Sequence, residues 1–294
     1  MHLPFEEMKV RLESLRCLAS DHIGTNYEES RDPYQQRPYH SRWHTFDTHA
    51  RFVSLASAVR NRNPDLISES DIMAGEAAAF AHDTDQTCMY VTGPFGKMRK
   101  RFSGPIEGAS AIWCIRMMDQ VGGFTPSQKE VAAEAIMGTV PAWDGVKNRL
   151  IQPNLRPGVK LATILLAIAD LGGGVMGGTA FAKEGRLVFV EDNLFVLEAL
   201  LETGMRDVPS NAQFLCEKIV AYMGSQIGFL KGVADRLEEE ILPLVLVEVR
   251  DPIRSVCTGT TAADKACRGV WEWTQEMADK KDYMNLFRFM GYRV

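Results

Sequence analysis

The sequence has little cysteine, no excess of positive charge and no clean hydrophobic run long enough to cross a membrane. Cysteines occur only at 17, 88, 114, 216, 257 and 267, and no two form a C-x-x-C pair. That is too sparse for a disulfide framework, so free thiols in a reducing, cytoplasmic setting are expected. The 33 Lys and Arg against 38 Asp and Glu give a net charge of -5. A basic footprint for nucleic acid or an anionic membrane is therefore missing. The apolar stretch Leu161 to Ala169 is stopped by Asp170 and followed by a glycine-rich segment, which makes a poor membrane span. The opening MHLPFEEMKVRLE carries acids early and lacks the apolar centre of a secretory signal.

With 46% hydrophobic and 24% charged residues, the 294-residue chain has the composition of a globular protein. It holds enough material for one large domain or two small ones. Helical periodicity dominates and predicts a mainly α fold. Helices are expected over 4–20 (with Phe5, Met8, Val10, Leu12 and Leu15 on one face), from about Trp43 to Arg60, and over 72–81 with Ser68 or Ser70 as cap. Further helices are expected over 107–120, 127–138, 158–171, 191–203, 210–240 and 261–280. Residues 26–38 and 84–105 contain proline, glycine and polar clusters and are expected as loops. Arg186 to Val190 suggests one short strand, and Ile241 to Val249 fits either class.

Histidine is scarce and one-sided: His2, His22, His40, His44, His49 and His82, with none after the last. His44, the His82-Asp83 doublet and Asp170 would supply nitrogen and oxygen donors from three helices to one metal ion. Asp170 ends an apolar run, where an unpaired carboxylate is expensive to bury and a metal removes the cost. Each residue alone has an ordinary explanation as a surface, core or capping group.

Their order and flanks resemble the HD-domain superfamily of metal-dependent phosphohydrolases, whose ligand order is H…HD…D. Tyr39-His40-Ser-Arg-Trp-His44-Thr45 is similar to the Y-H-N-x-x-H-T segment of one branch, and Ala79-Phe80-Ala81-His82-Asp83-Thr84 to its A-x-F-H-D-T. Glu107-Gly-Ala-Ser110-Ala111, Ile136-Met-Gly-Thr139-Val-Pro141 and Ala169-Asp170-Leu171-Gly172 resemble its E-x-x-S-A, I-x-x-T-x-P and A-D-L segments in the same order. The resemblance covers about residues 39–175 and implies an all-α HD-type bundle, taken as 1–185; residues 186–294 hold no assignable motif, and their helical spacing of Met, Trp and Phe leads to the expectation of a C-terminal helical extension packed on it. The resemblance also implies His44, His82, Asp83 and Asp170 as ligands of one divalent ion (Mn, Fe, Co, Ni, Zn or Mg). His49, in His49-Ala-Arg-Phe-Val53, is the rival first ligand; Tyr39-His40 ahead of His44 favours the latter.

Two departures from the family bear on catalysis. Several HD hydrolases carry Glu three positions after the HD Asp, where this chain has Gln86; Asp85 and Glu107 are then the acid–base candidates. The extra histidines of dinuclear members are missing, so a single ion is expected. Lys100 and Arg101, in the basic stretch Lys97 to Arg101, are candidate contacts to a small phosphorylated substrate. The expected activity is metal-dependent hydrolysis of a phosphate ester, with a non-catalytic regulatory HD module as the alternative. A dinucleotide oxidoreductase is a weaker reading, resting on Gly172-Gly-Gly174-Val-Met-Gly177 and Leu187 to Asp192, because the interval between them is too short for a crossover helix.

Overall fold

A computed structural model describes residues 5–292. Residues 1–4, which include His2 and the start of the first expected helix, and residues 293–294 lie outside the described residues, as does the side chain of Phe5. The fold is mainly α. Six helices build the first half: α1 (Phe5–Ile23), α2 (Arg42–Arg62), α3 (Glu69–Ala81), α4 (Pro105–Val121), α5 (Pro126–Gly138) and α6 (Leu161–Leu171). On α1, Met8, Leu12 and Leu15 are buried while Val10 faces solvent.

Helix starts follow local chemistry. Ser41 caps α2 by accepting from the His44 amide, Ser68 caps α3 by accepting from the Asp71 amide, and Thr125 with Gln128 forms a capping box before Pro126. The central helix is α3, which touches α1, α2, α4, α5 and α6. It can sit there because Ala74, Gly75, Ala77, Ala78, Ala79 and Ala81 give it a thin, fully buried profile. A Cβ at Gly75 would stand 2.1 Å from the Phe52 ring of α2. Gly75→Ala should therefore push α3 off the His44 helix and cost roughly 1–3 kcal/mol, measured by urea unfolding.

The segment expected as one loop over 84–105 contains an antiparallel hairpin, β1 (Cys88–Gly93) and β2 (Gly96–Arg101), joined across Pro94 and Phe95. A second small hairpin, β3 (Ala142–Asp144) with β4 (Arg149–Ile151), was not expected. In the first, Cys88 to Val91 of β1 form one unbroken apolar run and β2 is basic apart from Gly96 and Met98, so neither shows the alternation that signals a strand.

The second half comprises α7 (Gly173–Met176), α8 (Ala180–Asp192), α9 (Leu194–Glu202), α10 (Ala212–Arg236), α11 (Val247–Val256), α12 (Thr260–Asp279) and α13 (Tyr283–Met290). The strand expected at Arg186 to Val190 is instead the middle of α8, so the expected boundary at 185 falls inside a helix. The glycines at 172–177 form the junction of α6 with α7 rather than a phosphate loop. Among the described residues the strands form only two separate antiparallel pairs, which leaves no parallel sheet for a dinucleotide fold. The ambiguous stretch 241–249 is a tight turn at Leu242–Leu244 leading into α11. Val249 and Ile253 of α11 join Val233 of α10, and Leu237 just beyond its end, in the apolar core of the first half. No described helix is long and apolar enough to cross a membrane.

Candidate metal centre

Three helices deliver four donors to one point. His44 is in the first turn of α2, His82 ends α3 with Asp83 directly after it, and Asp170 is in the last turn of α6. The carbonyl ends of α3 and α6 thus face the cluster, and helix C-termini favour positive charge. The Asp83 Oδ2 atom lies 3.3 Å from His44 Nε2 and 3.1 Å from His82 Nε2. Asp170 Oδ1 lies 3.4 Å and 3.5 Å from the same two nitrogens, which are themselves 3.5 Å apart. For metal–ligand distances of about 2.1 Å, the edges of a tetrahedron or octahedron are about 3.0–3.4 Å. The donor atoms of His44, His82 and Asp83 are spaced like three corners of such a polyhedron, and Asp170 approaches the same two nitrogens.

Two further observations fit a cation. Asp83 Oδ2 is buried yet has no hydrogen-bond partner. His82 Nδ1 faces the Ala79 carbonyl at 2.8 Å and must donate to it, so in the neutral ring Nε2 presents a lone pair toward two carboxylates. With protein groups alone, that arrangement requires protonated imidazoles. Burial pushes both histidines down, but Asp83 and Asp170 outweigh it: His44 is raised, and His82 well above the usual range. The carboxylates respond in kind, both held below their usual range by the imidazoles against the effect of burial. Two protonated imidazoles carry the charge that one divalent ion would bring to neutral ones.

The candidate donors are positioned from outside. Gln86, buried at 2% exposure, donates from Nε2 to Asp83 Oδ1 at 3.0 Å, turning Oδ2 toward the histidines. The turn carrying Gln86 is held by Tyr27, whose hydroxyl accepts from the Gln86 amide and donates to the Thr84 carbonyl. His22 Nε2 lies 3.0 Å from the same carbonyl. Gln86→Leu is expected to weaken divalent-metal binding by about 10–100-fold, by calorimetric titration, without loss of helix content.

A second clamp comes from α8. Glu191 Oε2 accepts from the amides of Tyr39 and His40, both at 3.1 Å, and Oε1 bonds His40 Nδ1 at 2.5 Å. The ring of Tyr39 packs 4.6 Å from that of His44. Arg101 donates to His40 Nε2 at 2.6 Å and pairs with Asp192 at 3.3 Å. Sequence reasoning missed Gln86 as a positioning group and Glu191 altogether. The signal for Glu191 was an acid ending Leu187-Val-Phe-Val, which looks like a strand until α8 is seen.

The other expected site residues separate. His49 lies outside the cluster, bonded to Glu76 at 2.9 Å and stacked on Phe80. Asp85 accepts from the Thr87 amide in a local turn, and its own amide donates to Ser110 Oγ. Glu107 caps α4 by accepting from the Gly104 amide. Burial, with Asp83 and Asp170 nearby, raises its carboxyl pKa. On β2 the alternation of a strand turns Lys100 to solvent and Arg101 inward. No family model, curated protein or solved structure matches the chain.

Proposed function

We propose that the chain is a metal-dependent hydrolase of phosphate esters, of the HD type that the ordered segments resemble, using one divalent ion. The observation that carries this reading is the meeting of the His44 and His82 imidazoles with the Asp83 and Asp170 carboxylates, each carboxylate 3.1–3.5 Å from both rings. Held by those four donors, a divalent ion would supply Lewis acidity toward a phosphoryl oxygen and lower the pKa of a water.

The chain's own groups supply the rest. Glu107, whose carboxyl pKa is raised by burial and by the nearby Asp83 and Asp170, is the acid–base group on this reading. The proton taken from water leaves with the ester oxygen once the P–O bond breaks. Arg101 stays charged inside the protein, since Asp192 and Glu191 outweigh its burial, and it interacts with Asp83. It offers positive charge toward the phosphoryl group, whereas solvent-facing Lys100 does not.

The test is a panel of phosphate esters assayed on protein loaded in turn with Mn, Co, Ni, Zn, Fe and Mg. Turnover should require added metal, and Arg101→Gln should lower kcat/KM by about tenfold or more. Stoichiometric metal binding with no turnover across panel and metals sinks the catalytic reading and leaves a regulatory HD module, which the engagement of Asp85 in its own turn favours.

A further inference from the structure

A cavity of ≈ 580 Å³ opens against the metal cluster, with Asp170 and Tyr39 in its wall. Its size falls within the roughly 300–1,000 Å³ of small-molecule sites. The C-terminal helices, not the HD-like bundle alone, shape it. Leu171, Phe181, Val188 and Phe229 form apolar walls, and the rings of Phe181 and Phe229 lie parallel within 7°. Its floor is a face of α10 carrying Gly224, Gly228 and Gly232.

Two of these glycines answer to packing. A Cβ at Gly224 would meet the Trp271 indole at 2.9 Å, and one at Gly232 would meet Arg149 Cβ at 3.1 Å. At Gly228 a Cβ would meet nothing within 4 Å. Glycine inside a helix is unfavourable relative to alanine, so the packing gives Gly228 no reason to be there. What its bare backbone does is leave the cavity floor flat and open.

Charge narrows the occupant. Among the described residues, Arg149 is the one cation in the wall, and Glu239 and Glu240 each hold its guanidinium at 2.7 Å. Glu184 in the same wall lies 3.4 Å from the Arg51 guanidinium, and Asp170 faces the two imidazoles. With its charges already paired, the wall offers a polyphosphate no spare cation and favours an uncharged, apolar body.

We infer that the cavity holds the non-reacting part of the substrate, an apolar ring system, which places a single phosphoryl group beside Asp170. The inference rests on the hydrolase reading for the reaction, and on the cavity alone for the ring.

The experiment compares naphthylethyl phosphate with glycerol phosphate on the metal-loaded full chain. Both are alkyl esters, so leaving-group basicity is similar and the ring is the main difference. Binding of the alcohol naphthylethanol is followed in parallel by its fluorescence. The wild-type chain should prefer the naphthylethyl ester in kcat/KM by about tenfold or more, from burial of the ring. Gly228→Leu should lower that preference and the affinity for naphthylethanol by about tenfold each, with metal occupancy retained. Val188→Phe fills the chamber from the opposite wall and gives the same result if Gly228→Leu does not fold. The proposal is overturned if naphthylethanol does not bind, if both filling variants bind it as the wild type does, or if glycerol phosphate is turned over as well as the naphthyl ester. Loss of naphthylethanol binding in the variants with no ester turned over supports the ring site and overturns the hydrolase reading alone.

Discussion

Asp83→Ala and Asp170→Ala are each expected to lower divalent-metal affinity by more than about 100-fold, or roughly 2.7 kcal/mol. Each deletes an oxygen standing 3.1–3.5 Å from both imidazole nitrogens. Elemental analysis after gel filtration should find about one ion per wild-type chain and essentially none in the variants. Thermal unfolding provides a second reading, because an ion that binds only the folded chain raises Tm and stabilises by about 2.7 kcal/mol at 100 times its Kd. Added metal should shift the wild-type midpoint and leave both variants where they were. His44→Ala should behave like the aspartate variants. His49→Ala should keep its metal, since His49 bonds Glu76 away from the cluster. Stoichiometric metal in either aspartate variant removes the ligand assignment.

The second large effect is expected at Glu191, which is 1% exposed. Glu191→Ala strips the partner from the Tyr39 and His40 amides and leaves Arg101 with one carboxylate fewer. Breaking a buried charged network from one side costs about 3–5 kcal/mol, which urea unfolding would register. Glu191 also sets an acid limit on the fold. Burial alone would raise its carboxyl, but the His40 contacts and the Arg101 guanidinium hold it at about 2, against an ordinary value of 4.5. A depressed carboxyl contributes stability that is complete above its unfolded value and lost as pH falls through the folded one. Acid unfolding followed by near-ultraviolet circular dichroism should show stability declining from about pH 4.5 toward pH 2. The decline should be shallower in Glu191→Gln, whose side chain does not titrate.

Most helices, and the candidate donors His44, His82, Asp83 and Asp170, were legible in the sequence because they are local or strongly patterned. The apolar run Leu161 to Ala169 is buried over nearly its whole length from Ala162 onward, and Asp170 closes it as a patterned exception. The Ala-rich α3 ends at the His-Asp doublet. What stayed hidden depends on distant partners. Arg99 and Arg101 look like solvated charges on a loop until Tyr34, Glu191 and Asp192 are brought to β2. Glu191 reaches Tyr39 across 152 positions, and no periodicity records such a pairing. Residues 187–192 carry β-branched and aromatic side chains, but Phe189 and Glu191 are buried by helical neighbours, so tertiary packing overrides local preference. The cavity beside Asp170 was equally invisible, because its floor is defined by an absence of side chains on α10.

Helix α10 carries side chains into all three apolar clusters: Val233 into the first, Leu215 and Met223 into the second, and Leu230 into the third. One rod therefore shares its burial among regions that would otherwise be separable. Loosening any of them exposes part of the same helix and weakens the other two. The bundle with the His/Asp cluster and the C-terminal helices thus draw on one helix for their cores, and a cut between them would leave apolar surface of α10 facing water.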